Sequence, residues 1–190
     1  LFPTLSISGI IRRMKFLQFD YRGILAADGT TWLKENAGAF VVIVVVELIA
    51  FGIFASEIGF YHDDWAFLEQ CLNAGGFWNG VRLYSSLFLE RPVEIFHFPL
   101  FFLIGGFNPA IYQILFLSLE IVSGVLLFLF LKELLGRTDL ALLSCVLTMI
   151  LPTHNVTHHW LSSAALLISL NLVLASFLFH QRWLASGRFP

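Results

Sequence analysis

Residues 160–180 read WLSSAALLISLNLVLASFLFH, twenty-one consecutive positions without Asp, Glu, Lys or Arg. About 20 apolar residues in a helix cross the roughly 30 Å of hydrocarbon in a bilayer. The whole chain of 190 residues is 58% hydrophobic and 13% charged, with a mean hydropathy of +0.82. A soluble domain carries about 25% charged residues. The sequence therefore predicts an all-α integral membrane protein.

Apolar runs long enough to be considered as membrane spans occur about four times. They cover residues 39–60, 110–131, 139–151 and 160–180. The first run contains Glu47 and the second contains Glu120, whereas the third is short and stops at Pro152. Intramembrane carboxylates are functional candidates that usually face the interior of a bundle. The sequence assigns no partner to either of them.

Residues 93–106 are predicted to form a helix that lies in the membrane interface rather than across it. Fourteen residues reach only about 21 Å at 1.5 Å per residue, and Pro99 interrupts them. Arg91, Glu94 and His97 recur at every third position and give a narrow polar stripe on an apolar helix. Such a stripe is typical of a helix that lies flat on the membrane.

The distribution of basic residues orients the chain, because cytoplasmic loops carry an excess of Lys and Arg. If residues 93–106 lie flat and the N-terminus is cytoplasmic, only Arg82 and Arg91 lie outside. The nine basic residues then inside are Arg12, Arg13, Lys15, Arg22, Lys34, Lys132, Arg137, Arg182 and Arg188. If that segment crosses the membrane, the split becomes five against six. The sequence thus predicts a cytoplasmic tail over residues 1–38 and an outer loop over residues 61–109.

The net charge, the cysteines and the chain ends bear on the expected partners, on metal or disulfide sites and on the bounds of the membrane domain. The net charge of −2, without a basic patch, indicates no nucleic-acid partner. Cys71 and Cys145 form no disulfide or metal motif. A membrane domain is expected over residues 39–185, followed by a truncated end at 186–190. Met14 is a candidate for the true start, since Met14-Lys15-Phe16 opens an ordinary tail. Both ends of the sequence look arbitrary, so the chain is expected to be a fragment.

The most concentrated chemistry follows the first span, where residues 61–68 read YHDDWAFL. Adjacent carboxylates repel each other, and burial raises a carboxyl pKa further. One of Asp63 and Asp64 could therefore act as a general base while the other orients the acceptor or binds a cation. The alternative is that Asp64 caps a short helix that runs through Glu69. His62, beside the pair, is a candidate for substrate binding.

Arg91, followed by Pro92, opens the expected interfacial helix. A guanidinium at the depth of the lipid headgroups can hold a phosphate through two parallel hydrogen bonds. The alternative is that Arg91 only anchors the helix at the interface. We expect the chemistry to lie where the outer loop meets the second outer turn, residues 152–159.

The second outer turn is rich in histidine. His154, His158, His159 and the following Trp160 are candidates for hydrogen bonding to a sugar or a phosphate-like group. They could instead form a polar belt with Trp160 as an aromatic anchor. His154 and His158 have the spacing of a zinc site, but Asn155 stands where zinc proteases carry Glu. The sequence therefore predicts no metal site and no cofactor.

Taken in order, these motifs resemble a known superfamily. An acidic pair, Asp63-Asp64, follows the first span; Arg91-Pro92 opens the second of the surface helices; and GFNP at 106–109 precedes the next span. A turn at Pro152 leads to WLSS at 160–163. This order is similar to that of the polytopic glycosyltransferases of the C type (GT-C). The likeness is to bacterial members with a dolichyl-phosphate-mannose-protein-mannosyltransferase-like domain and to the aminoarabinose transferase of lipid A.

The resemblance covers about residues 39–185 and implies the N-terminal part of such a module in a bacterial inner membrane. It implies an inverting transfer of sugar from a polyprenyl-phosphate donor to a hydroxyl acceptor on the outer face. By this likeness Asp63 is the catalytic base, Asp64 is an acceptor-side or supporting carboxylate, and Arg91 contacts the lipid phosphate. The histidines of the second turn have no counterpart. Some relatives use a divalent cation, for which this sequence shows no site.

Two other functions remain open from the residues. A polytopic transporter or channel would use Glu47 and Glu120 within its spans. A non-catalytic membrane module would bind lipid or a partner without turnover.

Overall fold

The computed structural model describes residues 29–55, 57–61, 63–151 and 160–185. Within these ranges the chain is helical and contains no β-strand, which confirms the all-helical fold predicted from the sequence. A 3-10 turn follows the first helix at Gly52–Phe54, and another precedes the last helix at Leu161–Ser163. The α-helices are α1 Gly29–Ala50, α2 Asp64–Ala74, α3 Phe77–Leu87, α4 Pro92–Gly105, α5 Pro109–Leu135, α6 Thr138–Met149 and α7 Ala164–Ala185.

The ends of α5 show how local sequence sets the helix bounds. Asn108 is its N-cap, and the Asn108 side chain accepts a hydrogen bond from the Ala110 N–H at 3.1 Å. Pro109 occupies the first helical position, where its missing N–H costs nothing. At the other end Gly136 adopts a left-handed φ of 64°, and its N–H donates to the Lys132 carbonyl. These are ordinary start and stop signals for a long helix.

Two apolar cores hold the helices together. The first, called the head core here, joins α2, α3 and α4 to the start of α5 and to the segment before α7. Its buried residues are Leu68, Cys71, Tyr84, Ile95, Phe98, Phe101, Tyr112, Phe116, Leu161, Ala164 and Leu167. The second, the bundle core, joins α1, α6 and the later halves of α5 and α7. Its buried residues are Ala39, Ile43, Phe128, Leu129, Ala141, Cys145, Met149 and Leu178.

Within the part of the chain that the structure describes, two helical segments, Pro109–Leu135 and Leu161–Gln181, are long and apolar enough to cross a membrane. Only 28% of the most apolar stretch of the first segment and 39% of that of the second are buried inside the protein. The other residues of these stretches are partly or fully exposed, and Ile114, Val122, Leu166 and Leu172 are among the exposed apolar ones. The helix α6 has 12 residues and reaches about 18 Å, which is short of the hydrocarbon thickness. The expectation of about four spans thus stays a prediction beyond these two.

The first apolar run differs from its predicted bounds. The sequence predicts a span over residues 39–60, whereas α1 begins at Gly29 and ends at Ala50. Helix α1 therefore starts in the polar segment that was expected to be a tail. Gly52, just after its end, lies against the side chains of Leu48 and Leu117, and a Cβ there would be 3.3 and 3.5 Å from their Cδ2 atoms. Because the chain turns at this close contact, the rest of the apolar run leaves the axis of α1.

The polar stripe of α4 faces the protein rather than water. Glu94 and His97 are buried, and only Arg91, just before the helix, is exposed. The outward side of the helix is apolar, and its exposed residues are Phe96, Leu100, Leu103 and Ile104. A helix with apolar residues outside and polar residues inside suits an apolar surrounding. Helix α4 also packs closely on α3, where a Cβ at Gly80 would be 3.1 Å from the ring of Pro99.

Candidate functional site

The acidic pair lies at the start of α2, but neither carboxylate caps the helix. Asp63 occupies the N-cap position, and its side chain accepts no hydrogen bond from the first turn of α2. Asp64 is the first helical residue, and its Oδ2 accepts a hydrogen bond from the Tyr61 N–H at 2.9 Å. The alternative interpretation of Asp64 as a helix cap is therefore wrong. Both carboxylates point to partners outside α2.

Asp64 is enclosed by the protein, with 1% of its surface exposed. Burial raises the pKa of this carboxyl above its ordinary value, and the charge of Asp63 adds to the effect. The backbone N–H groups of Tyr61, Leu161 and Ser162 act in the opposite direction and offset part of this rise in pKa. The carboxylate of Asp64 thus joins the start of α2 to the segment that precedes α7.

Asp63 is half-buried, and its side chain also contacts the segment that precedes α7. Its Oδ1 accepts a hydrogen bond from the indole Nε1–H of Trp160 at 2.7 Å, across 97 positions of sequence. Trp160 is the last residue before the 3-10 turn, and the Ser163 hydroxyl donates to the Trp160 carbonyl at 2.6 Å, which fixes the turn. The two aspartates therefore hold consecutive residues, Trp160 and Leu161, of one segment.

An open cavity of about 690 Å³ adjoins Trp160. The start of α4 forms one wall and the start of α7 forms the other. The lining residues are Glu90, Arg91, Pro92, Val93 and Glu94 on the first wall and Trp160, Ser162, Ser163, Ala165, Leu166 and Ser169 on the second. The cavity thus combines one guanidinium, two carboxylates, one indole and three hydroxyl groups, a set that can bind a polar ligand carrying an anionic group.

Arg91 is the cationic residue of this cavity, and 69% of its side chain is exposed. Its Nη1 lies 3.2 Å from Glu94 Oε1, one turn along α4. A guanidinium has five N–H donors in a planar fork. One long contact to Glu94 leaves donors of Arg91 able to reach a ligand in the cavity.

Trp160 is the residue that connects the predicted site residues. It donates to Asp63 and also lines the cavity that contains Arg91. The acidic pair therefore flanks the cavity through Trp160. The predicted binding residues His62, His154, His158 and His159 lie outside the described residues.

The sequence analysis missed His97 as a part of this site. His97 is 2% exposed, and burial lowers the pKa of its ring to about 4, partly offset by the carbonyls of Leu161 and Val93. The ring is therefore neutral at pH 7, and it lies near the Leu161 backbone, which Asp64 also approaches. A histidine within an apolar helix is a sequence feature that could have indicated a buried role. Its three-residue spacing from Arg91 and Glu94 instead led to the prediction that it lies on a polar stripe at the membrane interface.

The serines of the second cavity wall, Ser162, Ser163 and Ser169, were also not predicted as site residues. In sequence they look like small residues at the start of a membrane helix, and only the approach of α4 gives them a polar neighbourhood. Within the described ranges, no group of three or more His, Cys, Asp or Glu residues could hold a metal ion.

Comparisons of the chain with models of protein families, with curated proteins and with solved structures find no match.

Proposed function

We propose that this chain is part of a C-type polytopic glycosyltransferase that moves a sugar from a polyprenyl-phosphate donor to a hydroxyl acceptor at the outer membrane surface. The observation that carries the proposal is the hydrogen bond of 2.7 Å between Asp63 and Trp160, beside a cavity that contains Arg91. A carboxylate and a guanidinium near one cavity supply the two groups that such a transfer needs. The order of motifs that resembles this superfamily supports the same assignment.

Asp63 is the better candidate for the general base. It is half-buried and adjoins the cavity through Trp160, whereas Asp64 is enclosed and bound to backbone N–H groups. A base must come within hydrogen-bond reach of the proton that it accepts. Asp64 then acts as a positioning residue that holds the segment carrying Trp160.

The proposed reaction needs only the sugar donor, the hydroxyl acceptor and the side chains of Asp63 and Arg91. The acceptor oxygen attacks the anomeric carbon from the face opposite the phosphate, and its proton goes to the Asp63 carboxylate. The bond from the anomeric carbon to the phosphate oxygen breaks, and the phosphate leaves with the electron pair. Arg91 stabilises the charge on that phosphate through its N–H donors. Attack from the opposite face inverts the anomeric configuration.

The cavity suits a sugar attached to an anionic lipid. Its volume of about 690 Å³ lies within the range of roughly 300–1,000 Å³ that is typical of small-molecule sites. The Trp160 ring offers an apolar face, and three serine hydroxyls offer hydrogen bonds to sugar hydroxyl groups. The exposed apolar side of α4, next to Arg91, can lie against lipid while the guanidinium meets a headgroup phosphate.

The proposal includes a location and an orientation. The chain is a multi-pass protein of a bacterial inner membrane with a cytoplasmic N-terminus. The outer loop and the cavity then face the outer side, because that arrangement keeps nine of eleven basic residues inside. The outward apolar surface of Pro109–Leu135 and Leu161–Gln181 supports insertion in a bilayer.

The test is sugar transfer by the full-length protein carrying Asp63→Asn. We expect kcat/KM to fall by about 10²–10⁴-fold, the usual contribution of a general base. Trp160→Phe removes the Nε1–H donor but keeps an aromatic ring, so it should lower kcat more than it changes KM for the donor. The matched control is Asp139→Asn, because Asp139 is an exposed carboxylate outside the site, paired with Arg137.

Turnover of Asp63→Asn close to that of the unmodified protein would remove Asp63 from the mechanism. An equal loss in Asp139→Asn would indicate that the effect is on folding rather than on chemistry.

A further inference from the structure

Two carboxylates lie inside the helices, away from the cavity. Glu47 on α1 is completely enclosed, with 0% of its surface exposed, and neither of its oxygens accepts a hydrogen bond from a described residue. Glu120 on α5 is also buried, and it lies across the contact between α1 and α5 from Glu47, because Gly52 lies against Leu117 on one side and Ile43 lies against Gly124 on the other. The Glu47 side chain is therefore a buried polar group at a helix contact that contains a second buried carboxyl group.

The surroundings of Glu47 offer it little polar compensation. Gly124, one turn beyond Glu120, allows α1 and α6 to approach α5, since a Cβ there would be 2.9 Å from Ile43 Cγ2 and from Met149 Cε. The Cys145 thiol of α6 donates to the Gly124 carbonyl at 3.2 Å and is close enough to feel the charge of Glu47. The side chains around Gly124 are therefore those of Ile43, Met149 and Cys145, which offer few polar contacts to the nearby Glu47.

Ser123 and Asn171, which lie one helical turn from Glu120 and opposite it on α7, hydrogen-bond to each other. The Ser123 hydroxyl donates to Asn171 Oδ1 at 2.8 Å, and Asn171 Nδ2 donates to the Leu119 carbonyl at 3.2 Å. These bonds join α5 to α7, and none of these donors reaches Glu47.

The nearest basic residue of the bundle is too distant to neutralise the pair. Lys132 donates to Asn36 Oδ1 at 2.7 Å and so joins α5 to α1. Lys132 is twelve positions from Glu120, and Asn36 is eleven positions from Glu47, which correspond to about 18 and 16 Å along a helix. Among the described residues, the titratable groups that face Glu47 from the packed helices are Glu120 on α5 and Cys145 on α6.

Two ionised carboxylates in such a setting are strongly disfavoured, because burial and mutual repulsion both oppose the charge. A metal cation would need about six oxygen ligands, which the described residues around Glu47 do not supply. A proton needs only the two carboxyl groups. We propose that Glu47 and Glu120 form a proton-binding site inside the helical bundle that holds at least one proton at neutral pH.

This site is separate from the proposed transfer reaction, and it marks the bundle as a place where a proton can be taken up or released. Buried ionisable residues within membrane helices usually have such roles. Neither residue touches Asp63, Trp160 or the cavity in the contacts described above, so each proposal can fail without the other.

Infrared spectroscopy of the full chain in lipid nanodiscs tests the proposal directly, because a protonated carboxyl has a carbonyl stretch distinct from the carboxylate bands. At pH 7 the unmodified protein should show this carboxylic-acid band. Glu47→Gln and Glu120→Gln should each remove the band or shift its frequency. Glu69→Gln is the matched control, since Glu69 is an exposed carboxylate on α2, and it should leave the band unchanged.

Glu47→Asp provides a second variant that keeps an acid in place of a neutral amide. It should retain a carboxylic-acid band at a shifted frequency even if a Gln variant does not fold. Absence of the band from the unmodified protein at pH 7 would overturn the proposal. A band that is the same in Glu47→Gln, Glu120→Gln and the unmodified protein would also overturn it.

Discussion

Asp64 beside the head core and Glu47 beside the bundle core are both enclosed by the protein, yet their surroundings differ. Asp64 accepts a hydrogen bond from the Tyr61 N–H and lies near two further backbone N–H groups. Glu47 receives no such donor from the described residues and lies across a helix contact from another buried carboxyl group. Buried polar groups are stabilised by hydrogen bonds and are costly without them. The comparison indicates that Asp64 builds structure, whereas Glu47 requires a bound proton.

The head core and the bundle core also differ in the side chains that fill them. In the head core, Phe67 and Phe98 stack with centroids 4.3 Å apart, and Tyr84 stacks on Phe98 at 5.3 Å. The Tyr84 hydroxyl donates to the Phe67 carbonyl at 2.9 Å, so the rings also tie α3 to α2. The bundle core has one fully buried aromatic ring, Phe128, and otherwise uses close helix approach. The head is thus fixed by large interlocking aromatic rings, whereas the bundle is fixed by the close approach of helices at small residues such as Gly124.

The largest expected effect comes from the ring stack. Phe98→Ala should lower the free energy of unfolding by about 3–5 kcal/mol, since it removes a buried ring that contacts Phe67 and Tyr84. Thermal unfolding in detergent, followed by circular dichroism, measures the change. Phe96→Ala on the same helix is the control, because Phe96 is half exposed and faces outward. Equal losses in the two variants would show that the ring stack does not hold the head together.

A smaller effect is expected where the bundle helices approach. Gly124→Val should lower the free energy of unfolding by about 1–3 kcal/mol, because its Cβ would be 2.9 Å from Ile43 and Met149 atoms. Gly38→Val on α1 is the matched control, since a Cβ at Gly38 meets no atom within 4 Å. We expect Gly38→Val to change stability by no more than about 0.5 kcal/mol. Similar values for both variants would contradict the close approach of α1 and α6 to α5.

The sequence predicted those parts of the molecule that depend on local pattern. Uniform apolarity over 160–180 and the start and stop signals around α5 predict helices without knowledge of their neighbours. The end of α1 was not predictable in this way, because residues 51–60 remain largely apolar and the turn depends on the contact of Gly52 with Leu117. The inward direction of His97 likewise depends on packing that involves another part of the chain.

The candidate site, too, could be predicted from the sequence only in part. Asp63, Asp64 and Arg91 could be selected from residue type and position after a span. Their relation to Trp160 could not, because it depends on a contact across 97 positions that no local pattern encodes. Residue types therefore suggest which groups carry chemistry, and the fold decides which of the two aspartates bonds to Trp160 beside the cavity.

The smallest expected effect is a change in the pH dependence of stability, and it sharpens the contrast between the two enclosed carboxyl groups. In the unfolded chain the pKa of Asp64 stays near its ordinary value of 3.8, whereas burial raises it in the folded protein. The group therefore contributes stability that is fully present below pH 3.8 and is lost as pH rises through the folded pKa. Asp64→Asn keeps an oxygen for the Tyr61 N–H but does not titrate, so this fall in stability should disappear.

His97 contributes the opposite slope in an overlapping window. Burial lowers the pKa of its ring from 6.5 to about 4, so its contribution to stability is lost as pH falls from above 6.5 towards 4. The informative quantity is therefore the difference in free energy of unfolding between the unmodified protein and Asp64→Asn, measured from pH 3 to pH 7. Glu69→Gln, an exposed change on the same helix, should keep the slope of the unmodified protein. If this difference in free energy does not vary with pH, the pKa of Asp64 is the same in the folded and the unfolded protein. Asp64 would then contribute to stability as a neutral polar side chain does.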